Sequence, residues 1–186
     1  PMWDTTVAHF SLAMRVDSLE NLPFFAVPES YGWRFYQPGD ELFWARIETS
    51  AGEFGRPEEG MARFARAFAA GGRLEESMFF LTDSGVPFAT ATAWHRSDTE
   101  GLLCWVSVDA AHQGQGLSKA IVSLAMRRLR GFGYRSAYLT AQTERWLAIR
   151  LYHRFGFHPV PRSGEERAGW KEGRFRKVRN GFLQYI

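Results

Sequence analysis

The chain has 186 residues, 45% of them hydrophobic and 16% aromatic, with a formal net charge of +3 and a sequence pI of about 9.3. That is ample apolar material for one globular domain and excludes an intrinsically disordered chain, while no apolar run approaches the ~20 residues that span a bilayer. The single cysteine, Cys104, excludes an internal disulfide and a cysteine-based zinc cluster. The five histidines (His9, His95, His112, His153 and His158) show no i, i+4 pair with a metal-site glutamate, so no metal is expected.

The segment from Pro1 to Thr6 lacks the basic start, apolar middle and small-residue cleavage site of a secretion signal, which points to a soluble, cytoplasmic protein. One domain over 1–186 is expected, with 1–30 as an N-terminal extension. Residues 5–16 mix polar and apolar positions and could add an edge strand. Asn21 to Ser30, with Pro23 and Pro28, reads as an irregular connection. Tyr31 to Gln37 is aromatic and strand-like. Pro38-Gly39-Asp40 turns the chain, and Asp40 is placed to cap a helix carrying Leu42, Phe43, Ala45, Arg46 and Ile47. Glu58 to Ala70 supports a second helix through Met61, Phe64, Ala65 and Phe68.

Ser77 to Thr82 and Val86 to Trp94 then flank Asp83-Ser84-Gly85, a tight turn that favours a hairpin. Leu102 to Val108 is a further strand. A helix over Leu117 to Arg130 places Leu117, Ala120, Ile121, Leu124, Ala125 and Leu129 on one stripe, and Gly131 and Gly133 end it. Ser136 to Ala141 is a strand and Arg145 to Phe155 a helix ending at Gly156. Beyond Pro161 the pattern weakens, with a last strand to be sought in Phe175 to Ile186. Strands flanked by helices, in antiparallel and parallel arrangements, predict a mixed α/β (α+β) sheet.

The most informative stretch is the apolar strand Val106-Ser107-Val108 followed by Gln113-Gly114-Gln115-Gly116 and the start of a helix at Leu117-Ser118-Lys119. The first N–H groups of a helix have no intrahelical partner and lie at the positive end of its dipole. Glycines before them let an anion approach the main chain closely, so such a turn suits a phosphate.

Gln113-Gly114-Gln115-Gly116-Leu117-Ser118 resembles the acyl-CoA pyrophosphate loop of the GCN5-related N-acetyltransferases, written Q/R-x-x-G-x-G/A. Downstream, Arg145 to Phe157 resembles that family's helix ending in A-x-x-L-Y-x-x-x-G-F, here Ala148-Ile149-Arg150-Leu151-Tyr152-His153-Arg154-Phe155-Gly156-Phe157. The likeness extends from about Leu102 to Phe157, with element order alone supporting Tyr31 to Trp94. Two positions depart from the pattern: Ser118 replaces the usual Gly or Ala, and Arg145 stands where many members carry an asparagine. The resemblance implies a mostly antiparallel central sheet flanked by helices, with a parallel splay between the fourth and fifth core strands.

It also implies acetyl-CoA as co-substrate. The backbone N–H groups of Gln115, Gly116 and Ser118 would grip its pyrophosphate, with those of Gly114 and Lys119 near, and Gln113 and Leu117 complete the turn. The backbone of Val106, Ser107 and Val108 would hold the pantetheine arm as an added strand does, and the N–H of Val106 or a neighbour could polarise the thioester carbonyl. Tyr152 is the catalytic candidate, assisting departure of the CoA thiolate. An amine also needs a base. Family members with a glutamate on this strand would place it near Leu102 or Leu103, where this chain has no acid. Glu100, His95, Asp98, Glu48 and Glu53 are the remaining candidates, each read as a solvated surface residue.

Cys104, mid-strand, reads as a small buried hydrophobe rather than a nucleophile. Trp3, Trp33, Trp44, Trp94 and Trp105 read mostly as core. The expected function is acetyl transfer to a primary amine of a small molecule or peptide by direct attack. Its rivals are a non-catalytic acyl-CoA sensor and an arginine-rich nucleic-acid-binding protein. Against the last, the clusters Arg127-Arg128-Leu129-Arg130 and Arg174 to Arg179 carry no DNA- or RNA-binding module. No membrane partner is expected, and an exposed terminal strand could pair across a homodimer.

Overall fold

The computed structural model describes residues 8–69 and 71–172. In chain order the elements are β1 (Ser11–Val16), β2 (Gly32–Phe35), α1 (Glu41–Ser50), α2 (Pro57–Ala67), α3 (Leu74–Ser77), β3 (Met78–Asp83), β4 (Val86–His95), β5 (Glu100–Val108), a 3-10 turn (Ala110–His112), α4 (Leu117–Gly131), β6 (Ser136–Gln142), α5 (Trp146–Arg154), β7 (His158–Pro159) and α6 (Gly164–Glu172). The strands run in the order β2-β3-β4-β5-β6-β1-β7. The pairs β1–β6, β1–β7, β2–β3 and β3–β4 are antiparallel and β5–β6 is parallel. Counting from Tyr31 to Gln37, β5 and β6 are the fourth and fifth core strands, so the mixed, mostly antiparallel sheet is the one the motifs imply. No helix among the described residues is long and apolar enough to cross a membrane.

The chain divides into two compact units. Among the described residues, one comprises those up to Pro23, His95–Leu102 and those from Gly133 onward; the other comprises Phe24–Trp94 and Leu103–Phe132. In the first unit β5 pairs Glu100, Gly101 and Leu102 with Ser136, Ala137 and Tyr138 of β6. β1 is not an edge strand, contrary to the sequence expectation. β6 pairs with it on one side and β7 on the other, and the adjacent residues Ala13 and Met14 are both fully buried, so both of its faces are covered. α6, which the weak pattern beyond Pro161 does not announce, lies over β1. A Cβ at Gly169 would sit 2.7 Å from Phe10 Cβ and 3.1 Å from Leu12 Cδ2, so only glycine admits this approach.

The second unit has an aromatic core of Tyr36, Trp44, Phe64 and Phe80 with Ala45, Ile47 and Met78. Gly60 lets α2 approach α1, since a Cβ there would meet Ala45 Cβ at 2.9 Å. Ser84 and Gly85, both left-handed at φ 48° and 85°, make the two-residue turn between β3 and β4. That twist suits a hairpin. Asp40 does precede α1, but its carboxylate makes no capping bond. It accepts instead from Gln37 N–H at 2.7 Å and from Arg34 Nη2 at 2.9 Å, bracing β2 against the turn. A guanidinium in reach outcompetes the helix N–H groups because a charge-assisted bond is the stronger one. The strand sought in Phe175 to Ile186, the cluster Arg174 to Arg179, and Trp3 lie outside the described residues.

Candidate active site

The glycine turn is held from behind while its tip stays exposed. Asp109 N–H donates to Phe88 O at 2.8 Å, and the Asp109 carboxylate accepts from Ala111 N–H at 2.9 Å to start the 3-10 turn. Gln113 Nε2 donates to Val108 O at 2.8 Å, tying the turn back to β5. His112 stacks on Phe88, with centroids 4.1 Å apart and planes 16° apart. Tyr31 Oη donates to Gln115 Oε1 at 2.9 Å. Gly114, Gln115 and Gly116 themselves are exposed.

Gly114 and Gly116 are left-handed, at φ 79° and 77°, and Gly116 is the residue before α4. This conformation is nearly free for glycine and costs other residues about 1–2 kcal/mol. The first turn of α4 contains no acid, and Lys119 lies within it. The Lys119 N–H donates to Gly116 O at 3.1 Å, while the helix dipole and the lysine side chain add to one positive potential at an exposed main chain. Ser118, in place of Gly or Ala, keeps its N–H and is half-buried. Behind the turn, Leu117, Ala120, Ile121, Ala125 and Leu129 are buried as the stripe predicts, whereas Leu124 is only half-buried.

β5 carries a break that the sequence does not show. Trp105 is left-handed at φ 53° in the middle of the strand. For a bulky residue this costs on the order of 1–3 kcal/mol, and such strain gathers at functional sites. The ring is held edge-on to Trp44 at 4.9 Å, with the Arg63 guanidinium 5.3 Å from its centre. Val106 is half-buried, Val108 is buried, and the Ser107 side chain turns inward. Of the tryptophans expected in the core, Trp44 is fully buried, Trp94 and Trp105 are half-buried, and Trp33 is exposed.

Glu48 corrects the sequence reading of a solvated surface acid: it is 1% exposed, and its Oε2 accepts from Ser107 Oγ at 2.7 Å. The signal was available, because Glu48 falls three and four residues after Ala45 and Trp44 and so lies on the apolar stripe of α1. Desolvation, with the Glu48 carboxylate as a second cause, pushes the Cys104 thiol up to about 12. It is therefore protonated at neutral pH and a poor nucleophile.

In the first unit Tyr152 is buried on α5, its ring edge-on to Phe157 at 6.1 Å, and its carbonyl accepts from Phe155 and Phe157 N–H. Glu100 is also buried rather than solvated. Its carboxylate accepts from Arg15 Nε at 2.6 Å and from Arg96, with the Arg96 guanidinium 3.8 Å over the Tyr138 ring. Two arginines neutralise it, which suits a clamp on β5 rather than a base. His95 and Asp98 are exposed, as expected, and His95 reaches Tyr134 Oη at 3.1 Å. Glu53, in the second unit, is half-buried.

The profile of the acetyltransferase (GNAT) family matches residues 23–157, which include the glycine turn, β5 and the Tyr152 helix. The chain belongs to this family. Among curated relatives, the mycothiol acetyltransferase of Actinosynnema mirum is 29% identical over 136 residues, which make up 70% of this chain and 46% of that protein. The chain spans about half the length of the curated relatives it matches. Among solved structures, the GCN5-related N-acetyltransferase of Sphaerobacter thermophilus superposes with a TM-score of 0.65 at 22% identity, over 81% of this chain and 48% of that one. An acetyltransferase of Salmonella typhimurium, solved with acetyl-CoA, gives a TM-score of 0.53 at 20% identity over 69% and 79%. These likenesses show a GNAT fold, and GNAT enzymes use acetyl-CoA as acyl donor.

Proposed function

We propose that the chain transfers the acetyl group of acetyl-CoA to a primary amine by direct attack. The observation that carries this reading is the exposed turn Gly114 to Gly116, two left-handed glycines before an acid-free helix start, in a chain of the GNAT family. The N–H groups of Gln115, Gly116 and Ser118 bind the pyrophosphate, with Gly114 and Lys119 adding positive potential, and Gln113 and Leu117 hold the turn to β5 and to the core. Trp105 is left-handed within β5, just before the segment the pantetheine arm would follow. Val106, Ser107 and Val108 then offer main-chain partners to the pantetheine arm, and a donor near Val106 polarises the thioester carbonyl.

The amine nitrogen attacks the carbonyl carbon, the C–S bond breaks, and the sulfur leaves with its electron pair. Tyr152 hydrogen-bonds to that thiolate. A phenol near pKa 10 facing a thiol near 8.5 makes full proton transfer uphill by about 2 kcal/mol, so a strong hydrogen bond serves better than donation. Likeness to proteins named for mycothiol favours a small-molecule amine over a peptide one. Calorimetry with acetyl-CoA, followed by a panel of primary amines with detection of released thiol, tests the reading. Binding with release for one amine class supports it. Binding without release points to a sensor, and absence of binding overturns the loop assignment.

A further inference from the structure

A stretch of chain outside both motif segments reaches the glycine turn. From Phe24 to Tyr31 it follows α4 toward the start of that helix. Lys119, Ser123 and Arg127 are spaced by four and so share one face of α4. The Arg127 guanidinium lies over the Phe24 ring, 4.8 Å from its centre. Phe25 N–H donates to Ser123 Oγ at 2.9 Å, and Ser123 Oγ donates in turn to Lys119 O at 2.9 Å. The Phe25 ring faces the Lys119 ammonium at 5.2 Å. Farther along, Tyr31 Oη donates to Gln115 Oε1 at 2.9 Å. All of these residues lie in the second unit.

Both contacts fall on groups whose freedom matters for an anion. Gln115 stands between Gly114 and Gly116, both left-handed, and flanking glycines leave its peptide groups unusually free. Tyr31 restrains that freedom from outside the turn. Its own ring is fixed, 5.1 Å from buried Phe88 and edge-on to His112 at 6.3 Å, and its N–H donates to Pro28 O at 2.9 Å. The hydroxyl therefore ties Gln115 to the same Phe88 whose carbonyl accepts from Asp109 N–H. Lys119 is restrained differently. A Cβ at Gly116 would lie 3.4 Å from Lys119 Nζ, so the side chain folds back over the turn. The negative face of the Phe25 ring attracts the ammonium and favours that rotamer.

On the reading under "Proposed function", we infer that Tyr31 and Phe25 are positioning residues for acetyl-CoA, Tyr31 setting Gln115 and Phe25 setting the Lys119 ammonium for the pyrophosphate. They act through the turn and the lysine and take no part in the chemical step. A turn already ordered binds its ligand without the loss of freedom that a loose one incurs on binding. Their effect is therefore on affinity for the nucleotide end of the cofactor, which CoA carries whether or not it is acetylated.

Calorimetry with CoA on the whole chain tests this through two double-mutant cycles, and needs no acceptor amine. Tyr31→Phe keeps the ring against Phe88 and removes the hydroxyl, so CoA affinity should fall by about three- to tenfold. In a Gln115→Ala background the same change should cost nothing further, because its partner is already gone. Phe25→Leu should weaken CoA by about two- to fivefold, and should cost nothing further in a Lys119→Met background. Tyr31→Phe and Phe25→Leu together should multiply, since they act through different groups. Wild-type affinity in Tyr31→Phe, or an equal loss with and without Gln115, overturns the role of Tyr31 and leaves a packing contact. The same two results for Phe25→Leu, with and without Lys119, overturn the role of Phe25. A wild-type chain that does not bind CoA overturns the loop assignment itself, and the inference with it.

Discussion

Gly116→Leu separates backbone strain from ligand binding. Gly116 is left-handed at φ 77°, so a side chain costs about 1–2 kcal/mol in the folded state. Its Cβ would lie 3.2 Å from Lys119 Cε, the far end of a flexible side chain that can swing aside. A domain stable by roughly 5–15 kcal/mol survives that loss. The ligand does not, because the new side chain stands where the pyrophosphate must approach the main chain. Losing two charge-assisted hydrogen bonds at about 1.5–3 kcal/mol each weakens acetyl-CoA binding by roughly 10²–10⁴-fold. Gly133→Ala is the control: φ is 89°, nothing lies within 4 Å of its added Cβ, and it follows α4 rather than preceding it. Urea unfolding should show comparable losses of stability in both variants, while calorimetry should show lost affinity in Gly116→Leu alone. Wild-type affinity in Gly116→Leu, or equal weakening in Gly133→Ala, refutes the anion-site argument.

Tyr152→Phe keeps the edge-on contact with Phe157 and removes only the hydroxyl, so turnover should fall by about 10²-fold with acetyl-CoA affinity unchanged; wild-type turnover removes the tyrosine from catalysis. Cys104→Ala should retain activity, and complete loss without unfolding would revive an acyl-cysteine route. Because the Cys104 thiol is raised in the fold to about 12 from an ordinary 9.0, its contribution to stability is complete below pH 9. That contribution is lost as pH rises from there toward 12, because the unfolded chain ionises first. Urea titrations across this range should therefore show a steeper decline for wild type than for Cys104→Ala. Asp40 has the opposite sign. Desolvation pulls its pKa up, but Arg34 and Gln37 N–H outweigh that and hold it below 3.8. Its contribution is present above that value and lost as pH falls through the folded pKa. Asp40→Asn should cost about 2 kcal/mol at neutral pH, since Arg34 loses a charged partner, and an unchanged urea midpoint would contradict this.

The elements that could be read from the sequence are those whose signal is local. The β3–β4 turn needs two left-handed residues, and Ser84-Gly85 announces it; the stripe of α4 and the glycines before it are likewise confined to short windows. The position of β1 could not be read in this way. Whether a strand is at an edge depends on its neighbours, and β7, which covers its far side, is only His158–Pro159. Asp40 has the right residue type in the right place for a cap, yet Arg34, six residues earlier, claims its carboxylate. That competition exists only once β2 and the turn have brought the guanidinium alongside.

For the candidate site, the same division separates the glycine turn from the buried acid Glu48. Gly114 and Gly116 are left-handed, a conformation that their residue type announces, so sequence alone reaches the turn. Glu48 and Ser107 are 59 positions apart and become partners only because α1 crosses the C-terminal half of β5 in register. A rule that seeks the base on the strand itself finds Leu102 and Leu103 and stops. The better rule is to ask which acid breaks an apolar stripe. On α1, Trp44, Ala45, Ile47 and Glu48 are buried together, and only one of them is ionisable. Such a residue is worth testing before any exposed acid near the strand, because a buried carboxylate is costly and its place in the fold has to be accounted for.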